Sequence, residues 1–328
     1  MLVSFGALFL LSFSLSVFFV MLIKQIAKKY NILVIRDIPM TGGIGMALAF
    51  SITVLVFLCG SSRSWLAPEF WGIVLASVIV LVAGVVDDVR ELSVAQKFFI
   101  QTIAAFILIA SGVKTNIIFV GAELNALFSF LWIIGITNAV NLLDVMDGLA
   151  ATVCLPILIC FFAISFLNND VTTLVLSMTL AGTILGFLIF NIPPAKVYMG
   201  NSGSHFLGLL LAAIALTARY APSGREMALF SPFLILGFPI FDTAFLVMMR
   251  IKKGKSAFNK SNDHLALRYL KQGHSKAKTL ILMLVLSVFF VVCGFSLSRV
   301  PNLAAFVVLV VAVVFSFLLT KKLSHVDI

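Results

Sequence analysis

Asn138, Asn141, Asp144 and Asp147 recur at every third position, and Gly148 follows directly. In a helix that spacing would put four polar side chains on one face over about three turns. Two amides and two carboxylates supply hard oxygen donors. Such donors suit Mg²⁺ or Mn²⁺ together with phosphate oxygens rather than zinc. No HExxH pattern or Cys/His spacing competes with that reading. The surrounding chain is 62% hydrophobic and 11% charged, so ionisable groups within it are expensive unless they meet water, a metal or a partner charge.

Further polar clusters punctuate the apolar runs. Asp87-Asp88 closes one of them; the adjacent carboxylates repel and call for a cation or a basic neighbour, with Arg90 the local one. Lys97 and Gln101 follow on the next helical face, where Lys97 could neutralise phosphate. The stretch Met199–His205 reads as a small polar turn between helices. Its glycines permit close backbone approach, and the helix start behind it offers N–H groups to an anion. Alone, His205 reads as a structural hydrogen-bonder. Asp242 lies eight residues before Arg250, about 12 Å along a helix, pointing into a bundle from one end. The hydrophilic segment 251–277 carries Asp263, His264, Arg268 and His274 and reads as a solvated basic loop. Ile38–Ile44 reads as a turn whose Gly42-Gly43 pair would admit a close ligand contact.

The elements that must position these groups are membrane helices. A span needs ~20 apolar residues, and eleven stretches qualify: 2–23, 41–60, 66–86, 95–112, 124–140, 150–167, 171–190, 203–219, 228–250, 278–298 and 302–320. No ten-residue alternation suggests a barrel. The fold class expected is all-α, a polytopic integral membrane bundle of about eleven helices with its N-terminus outside, as one domain over 1–328. With that orientation about 18 of the 23 Lys and Arg face inward, Arg63 outward and Lys260 inward among them. Every acidic cluster then lies on the inner, cytoplasmic side. The net charge of +10 resides in short loops beside spans, which fits anionic headgroups and excludes nucleic acid as a partner. The first span, followed by Lys24, Lys28 and Lys29, reads as a retained anchor. The four cysteines lack CxxC spacing and read as small buried side chains.

Taken in order, Pro39-x-x-Gly42-Gly43, Asp87-Asp88, Asn138-Ala-x-Asn141-Leu-x-Asp144-x-x-Asp147-Gly148, Met199-Gly200-x-Ser202-Gly203-Ser204 and Pro239-Ile-Phe-Asp242-Thr resemble the polyprenyl-phosphate N-acetylhexosamine-1-phosphate transferases. The stretch from Asp263-His264 to Arg268 is closer to the His-Leu-x-x-Arg-Leu pattern of the GlcNAc-type branch than to the His-His-x-Glu of phospho-MurNAc-pentapeptide transferases. The resemblance implies transfer of a sugar phosphate from a UDP-N-acetylhexosamine to undecaprenyl or another polyprenyl phosphate, with release of UMP. It implies Asp87, Asp88 and Asp144 as catalytic and Asn141 and Asn201 as metal-facing, with Mg²⁺ as cofactor and Mn²⁺ as the alternative. It further implies Asn138, Asp147, Gly148, Lys97, Asp242, His264 and Arg268 as substrate contacts. Membrane lipids and a second copy of the chain are the remaining partners, in the inner (plasma) membrane of a bacterium. One departure stands out: the family carries Asp where this chain has Asn201, which removes one negative charge. The competing readings are a phospho-MurNAc-pentapeptide transferase, a non-catalytic relative resting on Asn201, and an ion-coupled transporter using Asp144 and Asp242. A CDP-alcohol phosphotransferase would need Asp-Gly-x-x-Ala-Arg, whereas Leu149-Ala150-Ala151-Thr152 follows Gly148.

Overall fold

The computed structural model describes residues 2–60, 68–220, 224–257 and 261–326. Arg63, Lys260 and the start of the 66–86 stretch lie outside the described residues. The chain forms helices α1 (Leu2–Tyr30), α2 (Gly42–Gly60), α3 (Pro68–Val89), α4 (Val94–Ala110), α5 (Ala122–Leu143), α6 (Leu149–Leu167) and α7 (Val171–Asn191). It continues with α8 (Gly200–Thr217), a 3₁₀ turn at Glu226–Phe230, and α9 (Ser231–Ile235) bent into α10 (Gly237–Lys252). The last elements are α11 (Leu265–Lys271), α12 (Lys276–Leu297) and α13 (Asn302–Leu323). Strands β1 (Val34–Ile35) and β2 (Ile38–Pro39) make one short antiparallel hairpin. The chain is thus a helical, multi-pass membrane protein.

Each of the eleven apolar stretches carries a helix among the described residues, but they do not make eleven equal spans. Among the described residues eight helices are long and apolar enough to cross a bilayer, or nine if the pair around α9 and α10, bent by 68°, counts as one. The other two fall short for different reasons. Helix α4 has 17 residues, about 26 Å of rise against a hydrocarbon core of ~30 Å. Helix α8 begins with Gly200, Asn201, Ser202, Gly203, Ser204 and His205 before its apolar run.

Helix α8 is the axis of the bundle, packed against α2, α3 and α5, and its run Phe206–Ala215 is buried throughout. It approaches two neighbours at backbone distance. A Cβ on Gly43 would sit 2.1 Å from Gly203 N, and one on Gly84 would sit 2.4 Å from Ser202 Cα. Helix α13 is the opposite case: Phe306, Val310 and Phe317 are exposed, as a lipid-facing helix requires.

Three expectations change here. Asn138 and Asn141 lie on α5, but that helix ends at Leu143, so Asp144 and Asp147 do not continue its face. Residues 144–148 form a connection in which Gly148 takes φ +75°, a conformation a Cβ disfavours. Its N–H leaves the helical ladder and donates to Asn191 Oδ1 at 2.8 Å. The Met199–His205 segment is the first turns of α8 rather than a separate turn. Segment 251–277 is only partly a solvated loop: residues 251–256 and 271–273 are exposed, but Asp263, His264 and Arg268 are buried, because paired charges let that stretch fold onto α10 and α13. Of the cysteines, Cys154, Cys160 and Cys293 are buried as expected and Cys59 is exposed.

Candidate active site

One end of the bundle gathers the polar motifs, and hydrogen bonds between them set its shape. The α3 terminus delivers Asp88 to the start of α8. Its Oδ1 accepts from Asn201 N at 2.7 Å and its Oδ2 from Ser202 N at 3.0 Å. A carboxylate there meets both unpaired N–H groups and the positive end of the helix dipole. Helix α5 delivers Asn141, whose Nδ2 donates to Asn201 Oδ1 at 3.1 Å and to Ser204 Oγ at 2.8 Å. The segment before α8 is held by backbone pairing: Tyr198 N to Pro39 O at 2.8 Å, Gly42 N to Tyr198 O at 3.0 Å and Gly43 N to Met199 O at 2.9 Å. The Pro39–Gly43 turn therefore supports the site from beneath.

These groups border a cavity of about 350 Å³ lined by Asp88, Asn141, Asp144, Asp147, Asn201 and Ser204, with Asn191 and Tyr198 at its wall. Burial and the carboxylates of Asp88 and Asp147 push Asp144 up to about 7. Asp147 sits nearer the rim, where Lys276 Nζ lies 2.9 Å from its Oδ2. The lining is rich in carboxylate, amide and hydroxyl oxygen and short of cations, the chemistry a hard divalent cation or a metal-bound phosphate relieves. Among the described residues no three His, Cys, Asp or Glu converge as a metal cage. A cation would accordingly need amide or substrate oxygens as well as Asp144.

A second cavity, of about 540 Å³, shares Asn141 and Val145 with the first and adds Arg250, Lys253, Lys255 and His264. Its wall is basic where the first is acidic. Beside it, α5 and α10 frame an almost wholly apolar groove of about 690 Å³, from Leu131, Trp132 and Phe233 to Ile251 and Lys252.

The candidate residues divide accordingly. Asp88, Asn141, Asp144, Asp147 and Asn201 line the first cavity, and His264 the second. Gly148 is buried behind the first, bonded to Asn191 at its wall. The others hold the frame. Asp87 pairs with Lys97 at 2.7 Å and caps Leu92 N at 2.7 Å, away from the first cavity. Asn138 and Gln101 exchange amide hydrogen bonds at 2.6 and 3.3 Å, joining α5 to α4. Asp242 takes His264 Nδ1 and Leu265 N, each at 2.9 Å. Arg268, fully buried, binds Asp263 Oδ1 at 2.7 Å and the Leu323 carbonyl at 2.9 Å, and it also reaches the Val326 carbonyl. Its guanidinium lies 5.1 Å from the Phe245 ring centroid. All its reach is spent on structure. Sequence reasoning missed Asn191, Ser204 and Lys276 as site residues, and gave Arg250, Lys253 and Lys255 no place in a site. The Pro193-Pro194 stretch and the Gly-x-Ser-Gly-Ser run were the available signals.

Comparison with known proteins gives the chain its relatives. Residues 70–219 match the model of glycosyl transferase family 4. A probable undecaprenyl-phosphate N-acetylglucosaminyl 1-phosphate transferase of Bacillus subtilis is 31% identical over 88% of this chain and 80% of its own. A decaprenyl-phosphate N-acetylglucosaminephosphotransferase of Mycobacterium leprae is 32% identical over 75% of this chain and 69% of its own. A phospho-N-acetylmuramoyl-pentapeptide-transferase of Streptococcus thermophilus is 44% identical, but over 28% of this chain and 27% of its own.

Proposed function

The chain belongs to glycosyl transferase family 4, and from that premise we propose that it transfers N-acetylglucosamine 1-phosphate from UDP-N-acetylglucosamine to a polyprenyl phosphate. In this reaction a phosphate oxygen of the lipid attacks the β-phosphorus of the nucleotide sugar. The bond between the β-phosphorus and the bridging oxygen breaks, and UMP leaves with that oxygen. The observation that carries the reading is the meeting of three unlike cavities at the end of α5: apolar groove, basic pocket and oxygen-rich pocket.

Each suits one part of the reactants. The α5/α10 groove takes the isoprenoid chain, which the bilayer already solvates. Arg250, Lys253 and His264 hold phosphate oxygens by charge and hydrogen bonding. Asp144, with the amide oxygen of Asn141 or Asn201, would hold Mg²⁺. The ion would supply neutralisation of the diphosphate and of charge moving onto the leaving oxygen. Asp88 keeps the α8 start rigid beneath that pocket, and Asp147 with Lys276 marks the rim where the nucleotide enters. The rest of the catalysis is positioning and preorganised charge. The basic loops beside this end support a site that faces the cytoplasm from a bacterial plasma membrane, with the N-terminus outside.

The test is direct. Purified protein with UDP-N-acetylglucosamine, undecaprenyl phosphate and Mg²⁺ should release UMP and form a lipid-linked sugar diphosphate. The absence of UMP with each common UDP-N-acetylhexosamine would refute the assignment, and omission of divalent cation should abolish the signal.

A further inference from the structure

His205 is 5% exposed. Its Nδ1 meets the Asn201 carbonyl at 2.9 Å, one turn back on α8. A carbonyl only accepts, so Nδ1 carries the proton. In the neutral ring Nε2 is then a lone-pair acceptor. That atom is buried and has no partner, which costs free energy unless something donates to it.

The space beside it is a small pocket of about 10 Å³ between α3, α4 and α8, lined by His205, Asp87, Lys97 and Gln101 with apolar Val80, Ala83 and Ile100. This is the volume at which one water fits, and a buried water needs two to four polar partners. We propose that a single structural water occupies this pocket and bridges His205 Nε2 to the Asp87–Lys97 pair, making His205 a positioning residue for the active-site end of α8. The water donates one proton to Nε2 and the other to the Asp87 carboxylate, and it accepts from Lys97. Each group present is thereby satisfied.

The consequence lies in the clamp this completes. Asp88 already ties the α3 terminus to Asn201 and Ser202. The water ties the adjacent Asp87 to the same helix one turn further on. This attachment adds to the Asn141 hydrogen bonds and the close approach of Gly43 and Gly84 in fixing the rotation of α8 about its axis. That rotation sets where Asn201 and Ser204 face the oxygen-rich cavity. The effect on turnover rests on the transfer reaction proposed above; the water itself does not.

The experiment compares His205→Leu and His205→Gln in the full-length protein, and adds a wild-type map at a resolution that shows ordered water. The map should show one solvent peak between His205 Nε2 and the Asp87–Lys97 pair. A map with the pocket empty, or with Lys97 directly on Nε2, overturns the water. His205→Leu should lower kcat about tenfold with an unchanged KM for polyprenyl phosphate. His205→Gln, which keeps an acceptor, should recover most of that loss while His205→Leu remains folded by thermal unfolding. Equal loss in both variants, or full activity in His205→Leu, overturns the positioning role. If the wild type releases no UMP, the transfer assignment fails, and the map and the unfolding comparison still judge the water.

Discussion

Replacing Asp88 separates scaffold from chemistry in this site. Its two oxygens accept backbone N–H groups at 2.7 and 3.0 Å from the first turn of α8. A hydrogen bond to a charged group contributes about 1.5–3 kcal/mol. Asp88 is half-buried on a cavity wall, so water can replace part of each bond in Asp88→Ala. That puts the expected cost at the low end, about 3 kcal/mol for the pair. Asp88→Asn keeps one acceptor and turns an amide N–H toward a backbone N–H, for a cost of about 2 kcal/mol. Thermal unfolding in detergent should therefore rank wild type above Asp88→Asn and Asp88→Ala lowest. UMP release should fall at least about 100-fold in both, because the α8 start that carries Asn201 is no longer held. An Asp88→Ala protein that melts with the wild type would refute the clamp. Normal stability with lost activity would make Asp88 a group that meets substrate instead.

Asn201→Asp restores a carboxylate beside the oxygen-rich cavity and should lower the Mg²⁺ concentration for half-maximal UMP release; an unchanged or higher requirement would show that Asn201 does not face the ion. Filling the apolar groove with Gly135→Leu, a position whose Cβ meets nothing within 4 Å, should raise KM for polyprenyl phosphate and leave KM for the UDP-sugar unaltered. Equal changes in both constants would remove the lipid chain from that groove. The Asp263 carboxyl is raised by burial but held below its ordinary 3.8 by Lys253 and Arg268, which outweigh it. A depressed folded value means its contribution is complete above 3.8 and is lost as pH falls through the folded value. Unfolding temperature should accordingly drop on the acid side in the wild type, and Asp263→Asn, already destabilised, should show a smaller drop over that window.

Composition and apolar run length alone made this a helical membrane protein, since burying 62% hydrophobic residues in one soluble core was never available to 328 residues. The loop charges grouped the acidic motifs at one end, and the hydrogen bonds between Asp88, Asn141 and Asn201 now join them there. Local pattern reached that far because membrane burial and charge exclusion act residue by residue. It failed where a tertiary partner decided the outcome. The three-residue spacing of Asn138 to Asp147 reads as a helix, yet α5 stops at Leu143 and Asn191 on α7 takes the Gly148 N–H, holding the 144–148 connection out of the helix. Arg268 and Asp242 have the composition of ligand contacts. Their partners, from the α13 terminus to the backbone of Leu265, lie far off in sequence and turn them into struts. Asp87 and Asp88 are neighbours in the chain, but adjacent helical side chains point about 100° apart. One meets Lys97 and the other the start of α8, and only the packing of α3 between α4 and α8 separates their work.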